Sequence, residues 1–244
     1  MSVTENLISH LLELRHRLLK IVLGLVVSVI AFLPFSNELY TWLAQPLLNH
    51  MPIGTHMIAT AVTTPFLVPM KVSTLVAIVV SLPYTLYQAW AFIAPGLYLH
   101  ERRFIGPLII ASTLLFIAGM AFSYFAVFPV LFGFITSSAP KGVAVMTDIG
   151  SYLDFVTTMF VSFGLAFEVP IIVIILVKFN IVRIEVLKAA RPYMIVGAFI
   201  VGAILTPPDV ISQIMLAVPL WLLYEFGVFV AKFVIPNGDE ANTN

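Results

Sequence analysis

The sequence predicts an all-α membrane protein whose six transmembrane helices form a curved, concave bundle. Hydrophobic residues make up 61% of the 244 residues and charged residues only 10%, whereas soluble domains carry about 25% charged residues. The apolar runs are nearly continuous and do not alternate with polar positions, which favours helices over strands. We therefore expect residues 1–244 to form one integral membrane domain in a lipid bilayer.

An amphipathic helix over residues 4–17 is predicted to lead into the first span. Four leucines recur at helical spacing on one of its faces: Leu7, Leu11, Leu14 and Leu18. Glu13 and Arg17 lie on the opposite side, four residues apart, so one interpretation is a local ion pair on an interfacial anchor. The other is a carboxylate that is available to a cationic partner, and the spacing leaves both open.

Apolar runs bounded by charges or turn residues predict the six spans. They cover residues 19–37, 69–93, 104–135, 151–179, 192–206 and 210–230, and a C-terminal tail follows at 232–244. A helix rises about 1.5 Å per residue, and the hydrocarbon core is about 30 Å thick. The third run is therefore longer than the core requires and the fifth is shorter.

Prolines inside the spans predict kinked helices. They lie at Pro83, Pro107, Pro129, Pro170 and Pro219. Each removes a backbone hydrogen-bond donor and tends to bend its helix. Kinked long helices produce a curved wall, although many transmembrane helices carry a proline to which no function is attached.

The basic residues predict that both termini face the cytoplasm. Ten of the twelve lie at one set of span boundaries: Arg15, Arg17, Lys20, Arg102, Arg103, Lys178, Arg183, Lys188, Arg191 and Lys232. Only Lys71 and Lys141 lie on the other side, and the side rich in lysine and arginine is normally cytoplasmic. The net charge is zero, so we expect no nucleic-acid partner.

Several enzyme classes are excluded by missing residues. Cysteine is absent, which rules out disulfides and thiolate chemistry. The patterns G-x-S-x-G, H-E-x-x-H and the P-loop do not occur. An intramembrane hydrolase would need a Ser-His or Asp-Asp pair at membrane depth, but the five histidines lie in termini and loops. We therefore expect no enzyme, no metal site and no cofactor.

Polar side chains recur along one face of the fourth span. Asp154, Thr158 and Glu168 are at helical spacing, and Glu168 is the deepest in the bilayer. An ionisable group there is costly and functional by default. Alternatively, Glu168 satisfies the carbonyl that Pro170 frees, and Gln88 in the second span is a possible partner. These acids would also suit a proton-coupled small-molecule transporter, but the chain lacks the paired repeats typical of that class.

Two further polar segments lie at span ends. The segment LTPPDVISQ joins spans five and six, where Asp209 is suited to cap a helix and Gln213 could bond a neighbouring subunit's helix. The segment AFIAPGLYLHERR ends with Glu101 beside Arg102 and Arg103, which could form a weak exposed pair. However, carboxylates at this predicted cytoplasmic edge also suit bidentate capture of guanidinium groups from another chain.

Four segments carry a resemblance to a known family: HLLELRHRL, FIAPGLYLHERR, SFGLAFEVP and LTPPDVISQ. Over essentially its whole length the sequence resembles TatC, the multispanning core subunit of the bacterial twin-arginine protein translocase. The resemblance implies a receptor in the bacterial cytoplasmic (inner) membrane for folded precursor proteins whose signal peptides carry consecutive arginines. It also implies that the protonmotive force drives transport.

The resemblance further implies roles for particular residues. The positions that match Glu13 and Glu101 are associated with the arginine pair. Six residues are expected to support that surface: Arg15, Arg17, Pro46, Phe92, Arg102 and Arg103. The position that matches Glu168 is an intramembrane polar site on the concave side.

The implied partners are other subunits of the translocase. The positions that match Thr206 and Gln213, with Asp209 beside them, are associated with docking the single-span subunits TatB and TatA. Further copies of the chain are expected in the receptor complex.

Overall fold

The computed structural model describes residues 3–49, 51, 56–93, 105–137, 146–179, 181–205 and 210–234. Across these ranges the chain is helical apart from turns and one isolated parallel bridge, between Ile58 and Asp148. It divides into two compact units, Met1–Leu114 with Gly142–Asp154, and Leu115–Lys141 with Phe155–Asn244. The predicted all-α class is confirmed, and the curvature of the bundle stays a prediction.

The described helices are numbered in chain order. The first unit contains α1 (Val3–Phe32), a 3-10 helix (Leu33–Phe35), α2 (Ser36–Leu48) and α3 (Thr64–Ile93). Two helices begin in the first unit and continue into the second: α4 (Ile105–Phe122) and α6 (Ile149–Phe167). The second unit also contains a π-helix (Ser123–Val127), α5 (Phe128–Ser137), α7 (Val169–Lys178), α8 (Ile184–Ala189), α9 (Arg191–Leu205) and α10 (Val210–Val234).

Within the part of the chain that the structure describes, five helical segments are long and apolar enough to cross a membrane. They are Leu11–Leu48, Thr64–Ala89, Gly106–Ser137, Ile149–Lys178 and Val210–Phe233. The predicted fifth span corresponds to α9, whose 15 residues are fewer than the about 20 that a bilayer-crossing helix needs. The chain is therefore a multi-pass membrane protein, and the predicted short span is a short helix.

The amphipathic N-terminal helix that was predicted to lead into the first span is continuous with that span in α1. α1 contains no proline, so its hydrogen bonds continue until the 3-10 helix that holds Pro34. The following α2 was not predicted. It buries Leu43, Ala44, Pro46 and Leu47, and Tyr152 donates a hydrogen bond of 2.8 Å to the carbonyl of Leu43.

α1 packs antiparallel against α3. Arg17 contacts Gln88, and seven residues further along α1 a Cβ atom on Gly24 would lie only 2.9 Å from the ring of Tyr84. An alanine at position 24 would therefore need the Tyr84 ring to shift, so glycine favours the close approach of the two helices at this level. The N-terminal part of α1 consequently lies beside the C-terminal part of α3.

In the second unit, α10 packs against α7 and α9. Its core contains Val173, Val177, Leu187, Tyr224, Val228 and Ala231. The hydroxyl of Tyr224 donates a hydrogen bond of 2.6 Å to the carbonyl of Leu187. Next to it, Arg191 and Glu225 form an ion pair at 2.7 Å, which ties the start of α9 to α10.

Candidate functional site

Glu13, in the first half of α1, is paired within the chain. Arg17 donates to Oε1 of Glu13 through Nε at 3.1 Å and through Nη2 at 2.8 Å. The two side chains remain partly accessible, with 33% of Glu13 and 23% of Arg17 exposed. The local ion pair that the four-residue spacing suggested is therefore present, and the carboxylate is also within reach of a partner.

Gln88 holds the other end of this arginine. Its side chain is 5% exposed, and its Oε1 accepts a hydrogen bond of 3.2 Å from Nη1 of Arg17. The sequence proposed Gln88 as a partner of Glu168, but the observed bond joins α3 to α1 within the first unit. The link could not be found from sequence because 71 residues separate Arg17 from Gln88.

The supporting residues expected around Glu13 fall into three groups. Arg15 is exposed on α1, and Phe92 is half-buried one helical turn after Gln88 on α3. Pro46 is buried in α2, which follows the opposite end of α1, roughly 30 Å of helix away from Glu13. The structure therefore does not bring Pro46 to the surface of Glu13. Three other predicted residues lie outside the described residues: Glu101, Arg102 and Arg103.

The two acids of the polar face expected along the fourth span belong to different units. Asp154 is exposed in the first unit and pairs with Lys71 at 3.4 Å. Glu168 is half-buried in the second unit, at the residue that separates α6 from α7. Pro170 lies in the first turn of α7, so the helix is interrupted where its proline predicted a kink.

Gln213 lies on α10 and already has a partner within the chain. Its Nε2 donates a hydrogen bond of 3.0 Å to the carbonyl of Phe199 on α9. Gly202 permits this contact, because a Cβ atom there would lie 3.2 Å from Cγ of Gln213. A glutamine amide has further donor and acceptor capacity, so this bond leaves room for a second one. Thr206 and Asp209 lie outside the described residues.

Sequence reasoning missed Asp148, which caps α6. Its Oδ1 accepts hydrogen bonds from the backbone N–H groups of Gly150 and Ser151 at 3.0 and 2.9 Å. Its Oδ2 accepts from the backbone and hydroxyl of Thr60 at 3.0 and 2.9 Å. Hydrogen bonds from Ser151 and Thr60 lower the pKa of Asp148 from 3.8 to about 2. An aspartate directly before an apolar helical run is the signal that could have identified this cap.

The second unit contains a tight helix crossing that the sequence did not reveal. A Cβ atom on Gly119 of α4 would overlap the backbone carbonyl of Phe163 on α6, and one on Gly164 would lie 2.6 Å from the ring of Phe116. Both glycines lie within apolar runs, where the sequence does not distinguish a crossing point from an ordinary small residue.

Comparisons with known proteins agree with the resemblance. The family model "TatC: Sec-independent protein translocase protein (TatC)" matches residues 9–219. The Sec-independent protein translocase protein TatC of Haemophilus influenzae is 51% identical over 238 residues, which cover 98% of this chain and 93% of the relative. The protein of the same name from Escherichia coli K12 is 49% identical over 235 residues, covering 96% and 91%.

A solved structure shows the same fold. The crystal structure of a twin-arginine translocase receptor, TatC, superposes with a TM-score of 0.79 at 36% identity and covers 92% of this chain and 99% of its own. Both the length of the family match and the identity to its members are decisive. The chain belongs to the TatC family of Sec-independent protein translocase proteins.

Proposed function

We propose that this translocase subunit is the receptor for twin-arginine signal peptides of folded precursor proteins. The observation that carries the proposal is the partly exposed carboxylate of Glu13, held on α1 by Arg17, in a member of the TatC family. The solved relative is itself named a twin-arginine translocase receptor. Family membership also favours protein translocation over small-molecule transport and over an enzymatic reaction.

The proposed ligand is the arginine pair of the signal peptide. A guanidinium group donates several hydrogen bonds in a fixed plane and keeps its charge at any physiological pH, so carboxylates are its natural partners. Glu13 supplies one carboxylate, and Glu101 is proposed to supply the second. Arg15, Phe92, Arg102 and Arg103 are proposed to shape the surrounding surface.

The remaining proposals concern the setting of this receptor. The basic residues at one set of helix ends support an orientation with both termini in the cytoplasm of a bacterium, with the chain in its inner membrane. Gln213, together with Thr206 and Asp209, is proposed to dock the single-span subunits TatB and TatA. Glu168 is proposed as an intramembrane polar site, further copies of the chain as partners, and the protonmotive force as the energy source.

Replacing the two glutamates tests the receptor function. A charge-assisted hydrogen bond contributes about 1.5 to 3 kcal/mol, so Glu13→Ala and Glu101→Ala should each weaken binding of a twin-arginine precursor by about tenfold or more. Glu101→Arg should be worse than Glu101→Ala, because repulsion is added to the lost contact. Binding is measured by titrating a fluorescent precursor onto the full chain in lipid nanodiscs.

The matched control removes an acidic residue that lies away from Glu13. Glu38 is exposed on α2, beyond the other end of α1, so Glu38→Ala should leave precursor binding unchanged. Unaltered affinity in Glu13→Ala, Glu101→Ala and the double variant would rule out these carboxylates as the arginine-binding groups.

A further inference from the structure

A chain of side-chain contacts links α3 to the carboxylate of Glu13. Buried Gln88 accepts a hydrogen bond from Nη1 of Arg17, and Nε and Nη2 of Arg17 donate to Glu13. Both contacts to Glu13 reach the same oxygen, Oε1. Among the described residues, the second carboxylate oxygen, Oε2, makes no hydrogen bond. Arg17 therefore uses only half of the accepting capacity of Glu13.

We infer that Arg17 is a positioning residue, which Gln88 holds in place and which fixes Glu13 with Oε2 left for an incoming cation. The inference rests on the proposed function, because the cation is the guanidinium of a signal-peptide arginine. In this arrangement Gln88 affects ligand binding although it makes no contact with Glu13 itself.

The physical basis is preorganisation. A glutamate on a helix surface samples several rotamers, and ordering it during binding reduces affinity. Arg17 restricts this freedom because its planar guanidinium is held through three of its nitrogen atoms, two on Glu13 and one on Gln88. The contact to Gln88 is partly buried, since Gln88 is 5% exposed and Arg17 23% exposed.

Competition between Arg17 and the ligand is the opposing possibility. The positive charge of Arg17 repels an arriving arginine, and a competitor would have to be displaced before binding. Displacing Arg17 from Glu13 would break the two hydrogen bonds to Oε1, whereas binding at Oε2 breaks neither of them. The geometry therefore favours the interpretation that Arg17 positions Glu13 over the interpretation that it competes with the ligand. The two possibilities predict effects of opposite sign when Arg17 is removed.

The test measures the affinity of a fluorescent synthetic twin-arginine signal peptide for the full chain in lipid nanodiscs. Arg17→Leu should weaken binding by about tenfold and Gln88→Met by about threefold, because each removes one step of the contact chain. Gln88→Glu keeps an acceptor for Arg17 and should restore affinity close to that of the unchanged chain. In the Arg17→Leu background neither change at Gln88 should have a further effect, since Gln88 acts through Arg17.

Lys20→Leu is the matched control for charge. Lys20 is exposed on α1, so its replacement removes a positive charge from the same helix without touching Glu13 and should not weaken binding. Size-exclusion profiles and thermal midpoints identify variants that fail to fold. If Arg17→Leu fails to fold, Arg17→Lys replaces it, because lysine keeps the charge but cannot make all three contacts. Arg17→Lys should likewise weaken binding of the signal peptide.

Three results would overturn the inference. Tighter binding after Arg17→Leu would make Arg17 a competitor, and unchanged binding would give it no role. Additive effects of Arg17→Leu and Gln88→Met would mean that Gln88 acts independently. Glu13→Gln tests the proposed function separately, because unchanged affinity in this variant would remove Glu13 from the arginine-binding site. If one of the three overturning results occurs while Glu13→Gln still loses binding, Glu13 keeps its role in the receptor and only the positioning role of Arg17 is lost.

Discussion

Asp148 connects two segments that are 88 residues apart, through hydrogen bonds from Thr60 as well as from the first turn of α6. Because its pKa is lowered from 3.8 to about 2, its stabilising effect is complete above its ordinary pKa. The effect is lost as the pH falls through the folded value. We expect hydrogen-exchange protection of the Thr60 amide to be constant at neutral and mildly acidic pH and to fall between pH 3.8 and about 2.

Asp148→Asn should reduce this protection at neutral pH and remove its pH dependence, because an amide cannot accept at both of its terminal atoms. Asp154→Asn is the control, since it removes an acid from the same helix and leaves the contacts of Thr60 intact. If both variants behave alike, the carboxylate of Asp148 does not hold the loop.

For single residues, the sequence predicted those side-chain contacts that join positions close together in the chain. The pair of Glu13 and Arg17 follows from their four-residue spacing. The contacts from Gln88 to Arg17 and from Lys71 to Asp154 depend on how distant helices pack, and their spacing in the chain gives no sign of them. The kink that Pro170 predicted corresponds to the interruption between α6 and α7 at Glu168.

Among the helices, the crossing of α4 and α6 gives a direct test of packing. A Cβ atom on Gly119 would overlap the carbonyl of Phe163 and lie 3.0 Å from the ring of Phe167. A backbone carbonyl within a helix cannot rotate away, so Gly119→Ala should destabilise the protein by about 1 to 3 kcal/mol. The measurement is the midpoint of thermal unfolding of the purified chain in detergent.

Gly106 on the same helix provides the control. A Cβ atom there meets nothing within 4 Å, so Gly106→Ala should be neutral or slightly stabilising, because alanine favours helix. Equal midpoints for the two variants would show that α4 and α6 do not cross closely at Gly119.

Hydrophobic runs were sufficient to identify the long helices, because lipid requires every span to satisfy its own backbone hydrogen bonds. They were insufficient for α2 and for the π-helix at Ser123–Val127. Residues 36–48 carry polar groups among apolar ones and have no continuous run. The π-helix, in which the backbone N–H of Phe128 donates to the carbonyl of Ser123, has an apolar composition that matches the surrounding helix.

For the whole molecule, the orientation in the membrane stays a prediction that a chain without cysteine can test directly. Exposed Glu38 on α2 and exposed Glu185 on α8 are predicted to lie on opposite sides of the bilayer. A membrane-impermeant maleimide should label Glu38→Cys in spheroplasts and leave Glu185→Cys unlabelled. Inverted vesicles should give the reverse result. Labelling of Glu185→Cys in spheroplasts would contradict the predicted cytoplasmic termini.

The ion pair of Arg191 and Glu225 has a consequence for the lipid around the molecule. Both charges lie at one level, where α9 begins, and we expect the polar boundary of the membrane at that level. From that level α9 continues for only 15 residues, or about 22 Å, against a hydrocarbon core of about 30 Å. We therefore expect the acyl chains beside α9 to shorten or tilt, or a neighbouring helix to cover the difference. Lipids with short chains should gather at this edge of the protein.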